Sequence, residues 1–112
     1  MEKITWQDFM KVQLMIGTVI EVADFPEARN PAFKLKIDFG HDIGVKQSSA
    51  QITRLYAKQD LLGKQVIAVV NLPPKQIGRF MSECLVTGFY RKDGAVVLAV
   101  PEGVLDNGAR LA

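Results

Sequence analysis

The chain has 112 residues, the length of one domain, and a hydrophobic share of 48%, which excludes a disordered chain. Its one cysteine, Cys84, excludes an internal disulfide and points to a reducing, cytosolic setting. The net charge of +2 hides an uneven distribution: eleven lysines and arginines face four acids between Arg29 and Lys92, a net +7, while the two ends together carry −5.

A basic middle fits either an anionic partner or a solvated face. The first residues, Met1 to Phe9, hold no long apolar run. No stretch reaches the roughly 18 apolar residues of a membrane span. The expectation is a cytoplasmic protein that does not insert into membranes.

Taken in chain order, Thr5-Trp6-Gln7-Asp8 predicts a capping box that opens a short helix, because the threonine can accept from a first-turn amide while the acid reaches back. Val12 to Val22 predicts a long first strand, with Gly17 at a bend. Phe25 to Pro31 is a loop with two prolines. Phe33, Leu35, Ile37 and Phe39 then alternate with Lys34, Lys36 and Asp38, the period of a strand with one buried face and one wet, basic face. Gly40-His41-Asp42 predicts a turn and Ile43 to Ser49 a third strand. Gln51 to Leu62 predicts one or two helical turns ending at Gly63. Val66 to Val70 is a buried strand, and Asn71 to Gly78 a loop whose prolines cannot donate to a ladder. Glu83 to Tyr90, the turn Lys92-Asp93-Gly94 and Ala95 to Val100 form a hairpin. Asn107-Gly108 marks a last turn.

These elements predict an all-β fold over residues 1–112, one Greek-key barrel of the oligonucleotide/oligosaccharide-binding (OB) type. It has a short N-terminal helix, helical turns after the third strand and extra C-terminal strands. A β-sandwich is the alternative.

The sequence offers no catalytic residue, metal site or cofactor site. His41 beside Asp42 is the only histidine, too few for a structural zinc site, and Ser48-Ser49 lacks a nucleophile elbow. Walker and dinucleotide fingerprints are absent. Cys84 sits in an apolar run with no basic neighbour to activate it, as a core residue does.

Several segments resemble the CsaA-type secretion chaperones of the tRNA-binding-domain family. They are Ile16-Gly17-Thr18-Val19, Phe25-Pro26-Glu27-Ala28-Arg29, Pro31-Ala32-Phe33-Lys34-Leu35, Ile37-Asp38-Phe39-Gly40, Ser48-Ser49-Ala50-Gln51-Ile52-Thr53, Val69 to Pro74, Gln76-Ile77-Gly78 and Ser82-Glu83. The resemblance implies an OB barrel that forms a homodimer, with the chain ends helping to build the interface. It implies a cytoplasmic, export-related chaperone for unfolded preproteins, with possible tRNA binding. A structure-specific tRNA-binding protein is the alternative. tRNA binders of this superfamily carry a base-rich loop of the form Asn-Leu-Lys-Pro-Arg-Lys. Here it reads Asn71-Leu72-Pro73-Pro74-Lys75-Gln76, which thins the phosphate contacts that dominate such binding.

Two sets of candidate site residues follow. Lys34, Lys36, Lys46, Lys64, Lys75 and Arg79 could line a groove for a sugar–phosphate backbone, with Phe80 as a stacking platform. Asn71 and Ser82 join them by resemblance. Phe9, Met10, Met15, Phe25, Phe80 and Met81 are candidates for a peptide-binding surface, where methionine adapts to varied partners. For Phe9, Met10 and Met15 the core or a dimer interface is the stronger reading.

Overall fold

The computed structural model describes all of residues 1–112. Helix α1 (Trp6–Lys11) opens on the expected capping box: Thr5 Oγ1 accepts from the Asp8 amide at 3.1 Å, and the Thr5 amide donates to Asp8 Oδ2 at 3.4 Å. Strands β1 (Leu14–Asp24), β2 (Phe33–Asp38) and β3 (Val45–Ala50) follow, then α2 (Lys58–Leu61) and β4 (Gln65–Val69). Five short strands complete the chain: β5 (Lys75–Ile77), β6 (Phe80–Ser82), β7 (Leu85–Val86), β8 (Gly88–Tyr90) and β9 (Val96–Leu98).

The main sheet runs β3-β2-β1-β4-β7, antiparallel throughout. It coils until β3 meets the chain before β7, giving a nearly closed five-stranded barrel in the OB order. Polar groups join that seam. The Glu83 amide donates to the Gln47 carbonyl at 2.8 Å, and the Gln47 amide to Glu83 Oε1 at 3.0 Å. Ser48 Oγ donates to the Cys84 carbonyl at 2.8 Å. Val19, Leu35, Ile37, Phe39, Leu61 and Val66 fill the interior almost without exposure.

A barrel of so few strands must bend them sharply, and β1 bends at the register shift between Val19 and Glu21. Gly17 lies just before it. A Cβ there would sit 2.5 Å from Ile37 Cγ2 and 2.7 Å from the Phe39 ring. The residue is glycine because the core leaves no room for a side chain.

Several boundaries differ from the sequence reading. The third strand starts at Val45, because Gly44 at φ 80° completes the turn and Ile43 packs onto the core. Of the one or two helical turns expected over residues 51–62, one forms, as α2 just before Gly63. The expected loop 71–78 contains β5, which turns at Gly78 (φ 60°) to pair with β6. Its prolines precede the strand, so they interrupt no ladder. The expected strand 83–90 is two strands, because its first part pairs with β4 and its second with β9.

Candidate functional site

The register decides which candidate residues meet. Across β1–β2–β3, Glu21 and Ala23 stand opposite Lys36 and Lys34, which stand opposite Gln47 and Ser49. Directly opposed residues share a face, so these side chains form the barrel's outer floor. Phe80, carried in by the β5–β6 hairpin, walls a shallow cavity of about 190 Å³ over Lys34, Lys36 and Gln47. Phe25, from the loop after β1, is buried beneath Phe80 with ring centroids 5.3 Å apart. Lys34 Nζ lies 5.4 Å from the Phe25 ring centroid, a cation–π contact that steadies the lysine at the rim. The groove is thus a polar floor with one aromatic wall, between the first and fourth loops of the barrel. That is where OB folds meet oligomeric ligands.

The other candidate bases lie elsewhere. Lys46 is opposite Ile37, on the inward parity of β3. Lys64 occupies the α2–β4 junction, where its carbonyl accepts from the Val19 amide at 2.9 Å. Lys75 faces the seam side of the β5–β6 hairpin and lines a separate cleft. Arg79 is exposed at the hairpin turn. Of six proposed bases, two share the groove, and Lys36 is paired there with Glu21 at 3.3 Å.

Asn71 has both ends of its amide engaged internally. Its Oδ1 accepts from the Gln13 amide at 3.0 Å, and its Nδ2 donates to the Lys11 carbonyl at 2.7 Å. Ser82 Oγ accepts from the Ser49 amide at 3.1 Å, on the seam.

The peptide-binding candidates do not form one patch. Phe9 stacks on Trp6 with centroids 5.4 Å apart, and Met10 projects from α1. Met15 packs against the core and bridges Arg110. Phe25 offers no surface of its own, while Phe80 is half-buried and Met81 exposed.

Sequence reasoning missed three features. Gln47 and Glu83 are the seam's polar clasp, which only the register reveals. Phe89 and Tyr90 are 73% and 84% exposed. Adjacent aromatics on a two-stranded hairpin point to opposite faces, so their neighbouring positions were the available signal. An apolar groove of about 380 Å³ lies between the first half of β1 and the C-terminal segment, lined by Leu14, Ile16, Ile67, Leu105 and Leu111.

Burial pushes the Cys84 thiol up to about 11, against a hydrogen bond with Ser48 and the charge of Lys46, which pull it down. Hydrogen bonding to Arg91 holds the Asp93 carboxyl below the usual carboxylate range, and Asp93 also accepts from the Ala95 amide to brace the β8–β9 turn. Nowhere do three or more histidine, cysteine, aspartate or glutamate side chains gather as they would around a metal ion. No helix is long and apolar enough to cross a membrane.

Strand order and loop placement define a barrel of the OB type. The chain belongs to the family described as a putative tRNA binding domain, whose pattern matches residues 14–110. It is 52% identical to the CsaA chaperone protein of Picrophilus torridus, with TM-score 0.92 over 98% of this chain and 100% of that one. It is 48% identical to the chaperone CsaA of Bacillus anthracis, with TM-score 0.93 over 99% and 100%. It is also 32% identical over 111 residues to the methionine–tRNA ligase of Thermococcus onnurineus, matching 98% of this chain but only 14% of the ligase.

Proposed function

We propose that this protein is an export-related chaperone that binds unfolded preproteins, acting as a cytoplasmic homodimer without catalysis. The observation that carries this reading is the scatter of the cations. The groove holds Lys34 and Lys36 alone, with Glu21 offsetting one of them. A phosphate backbone needs several cations along one track, because each neutralised phosphate adds to affinity. An extended polypeptide needs apolar contacts, which the exposed Leu72 and Met81 and the half-buried Phe80 offer. The CsaA chaperones, similar over their full length, support the same reading. The apolar groove along β1, with Val104, Leu105 and Leu111 exposed beside it, supports a second copy of the chain as the dimer partner.

Structure-specific tRNA binding is the second reading. The family match supports it, as do Lys34, Lys75 and Arg79, none of which is paired with a carboxylate. A paired titration separates the two. Purified protein is mixed with an unfolded presecretory protein or with bulk tRNA, each at low and near-physiological salt. The chaperone reading expects client binding that persists at the higher salt and tRNA binding that fades. Tight tRNA binding with a steep salt slope, and no client binding, would reverse the assignment.

A further inference from the structure

Past Ser48 the barrel seam opens into a cleft. The Ser48–Cys84 bond closes its apex, and beyond it β3 and the β7–β8 run diverge around a cavity of about 510 Å³. Ile52, Leu72, Ile77, Val86, Val96 and Tyr90 give it apolar walls. Its size lies in the range of ligand pockets, roughly 300–1,000 Å³.

Hydrogen-bond direction sets this cleft apart from the groove. The Thr87 amide donates to the Ile67 carbonyl at 2.9 Å, so Leu85 and Thr87 use the β4 side. Antiparallel alternation turns the N–H and C=O of Val86 the other way. In the following hairpin, the Arg91 amide bonds the Ala95 carbonyl and the Ala99 amide bonds the Thr87 carbonyl. The backbone groups of Gly88 and Tyr90 are therefore directed away from β9. Across the cleft, the Ser49 amide points away from β2 and is capped by Ser82 Oγ rather than by a strand. The Gln51 amide, next of that parity, bonds no protein group. Both walls are thus strand edges with main-chain groups to offer, and such edges are templates for another strand.

We propose that this cleft binds an extended polypeptide by strand addition. The segment pairs its main chain with Val86 and Gly88 and places alternate apolar side chains against Ile52, Ile77 and Val96. Charge selects among such segments. Lys75 and Glu83 are the only charged residues of the lining, and the Glu83 carboxylate already accepts from the Gln47 amide at 3.0 Å. Lys75 has no carboxylate partner. The favoured segment therefore carries an acidic side chain beside its apolar positions. This inference rests on the polypeptide-binding reading and adds the site, the main-chain mode and the charge preference.

The test uses the intact chain and a labelled peptide of alternating valine and threonine with one glutamate. Binding is followed by fluorescence anisotropy, and amide exchange is read by NMR. Strand addition expects the Val86 and Gln51 amides to exchange fast alone and become protected with peptide. N-methylation of alternate peptide amides in the pairing set should weaken binding at least about tenfold, since each removed N–H deletes a hydrogen bond. Methylation of the other set should not, and Lys75→Glu should weaken the glutamate peptide more than its glutamine counterpart. If the peptide binds but protection falls on Gln47 and the Phe80 groove, strand addition is overturned while the chaperone reading stands. If neither peptide nor unfolded client binds, both fall.

Discussion

Gly17 and Cys84 show how tightly single positions are set by what surrounds them. Gly17→Ala would drive a methyl into Ile37 and Phe39 at under 3 Å, and both partners are locked in the core. The expected cost is that of overpacking, about 1–3 kcal/mol, read as a lower urea midpoint with an unchanged denaturant slope. Cys84 makes a prediction about pH. Its thiol is raised from 9.0 to about 11 in the fold, so the unfolded chain loses this proton first as pH rises. The contribution to stability is complete below about pH 9 and is lost as pH climbs toward about 11. The loss is at most about 1.4 kcal/mol per pH unit. Urea midpoints across that window should fall more steeply for the wild type than for Cys84→Ala. A shared slope would refute the assignment. The same residue should resist thiol reagents at neutral pH until the chain unfolds.

At the scale of elements, the wet-face lysines of β2 were legible from period two alone, and the structure places Lys34 and Lys36 together as that period requires. Lys46 was not legible in this way. Its face depends on how β3 registers against β2, and a one-residue difference in register exchanges the two faces. Asn71 illustrates the same limit. Its position before two prolines marks a turn, but its hydrogen bonds run to Lys11 and Gln13, some 60 residues away in sequence. Asn71→Ala should therefore loosen α1 from the barrel and cost about 1–2 kcal/mol, the worth of two modest hydrogen bonds. Faster amide exchange at Gln13 would accompany it. A variant that lost ligand affinity with unchanged stability would instead make Asn71 a ligand contact.

For the whole molecule, the C-terminal segment covers the first half of β1 as an added strand. The Ile16 amide donates to the Ala109 carbonyl at 2.9 Å, and the Leu111 amide to the Leu14 carbonyl at 2.9 Å. Gln65 clasps Leu105 through both main-chain groups, at 2.6 and 3.0 Å. The segment thereby presents Leu105 and Leu111 beside an apolar groove instead of trailing in solvent. If this surface is the proposed dimer contact, Leu105→Glu should shift the light-scattering mass toward one chain at micromolar concentration. It should leave the fold intact, because Leu105 is nearly half exposed. A wild-type chain that is monomeric under the same conditions would remove the dimer from the functional reading.

The sequence by itself determined the all-β class, the capping box, the core parity of β2 and the turn positions. Each rests on neighbours a few residues apart, whose spacing fixes which side is buried. Only the tertiary structure decided that the basic residues are dispersed over several surfaces, that Phe80 rests on Phe25, and that the seam opens into a cleft between β3 and β7. These depend on strand register and barrel closure. Both bring together residues remote in sequence, and many local patterns are compatible with either outcome.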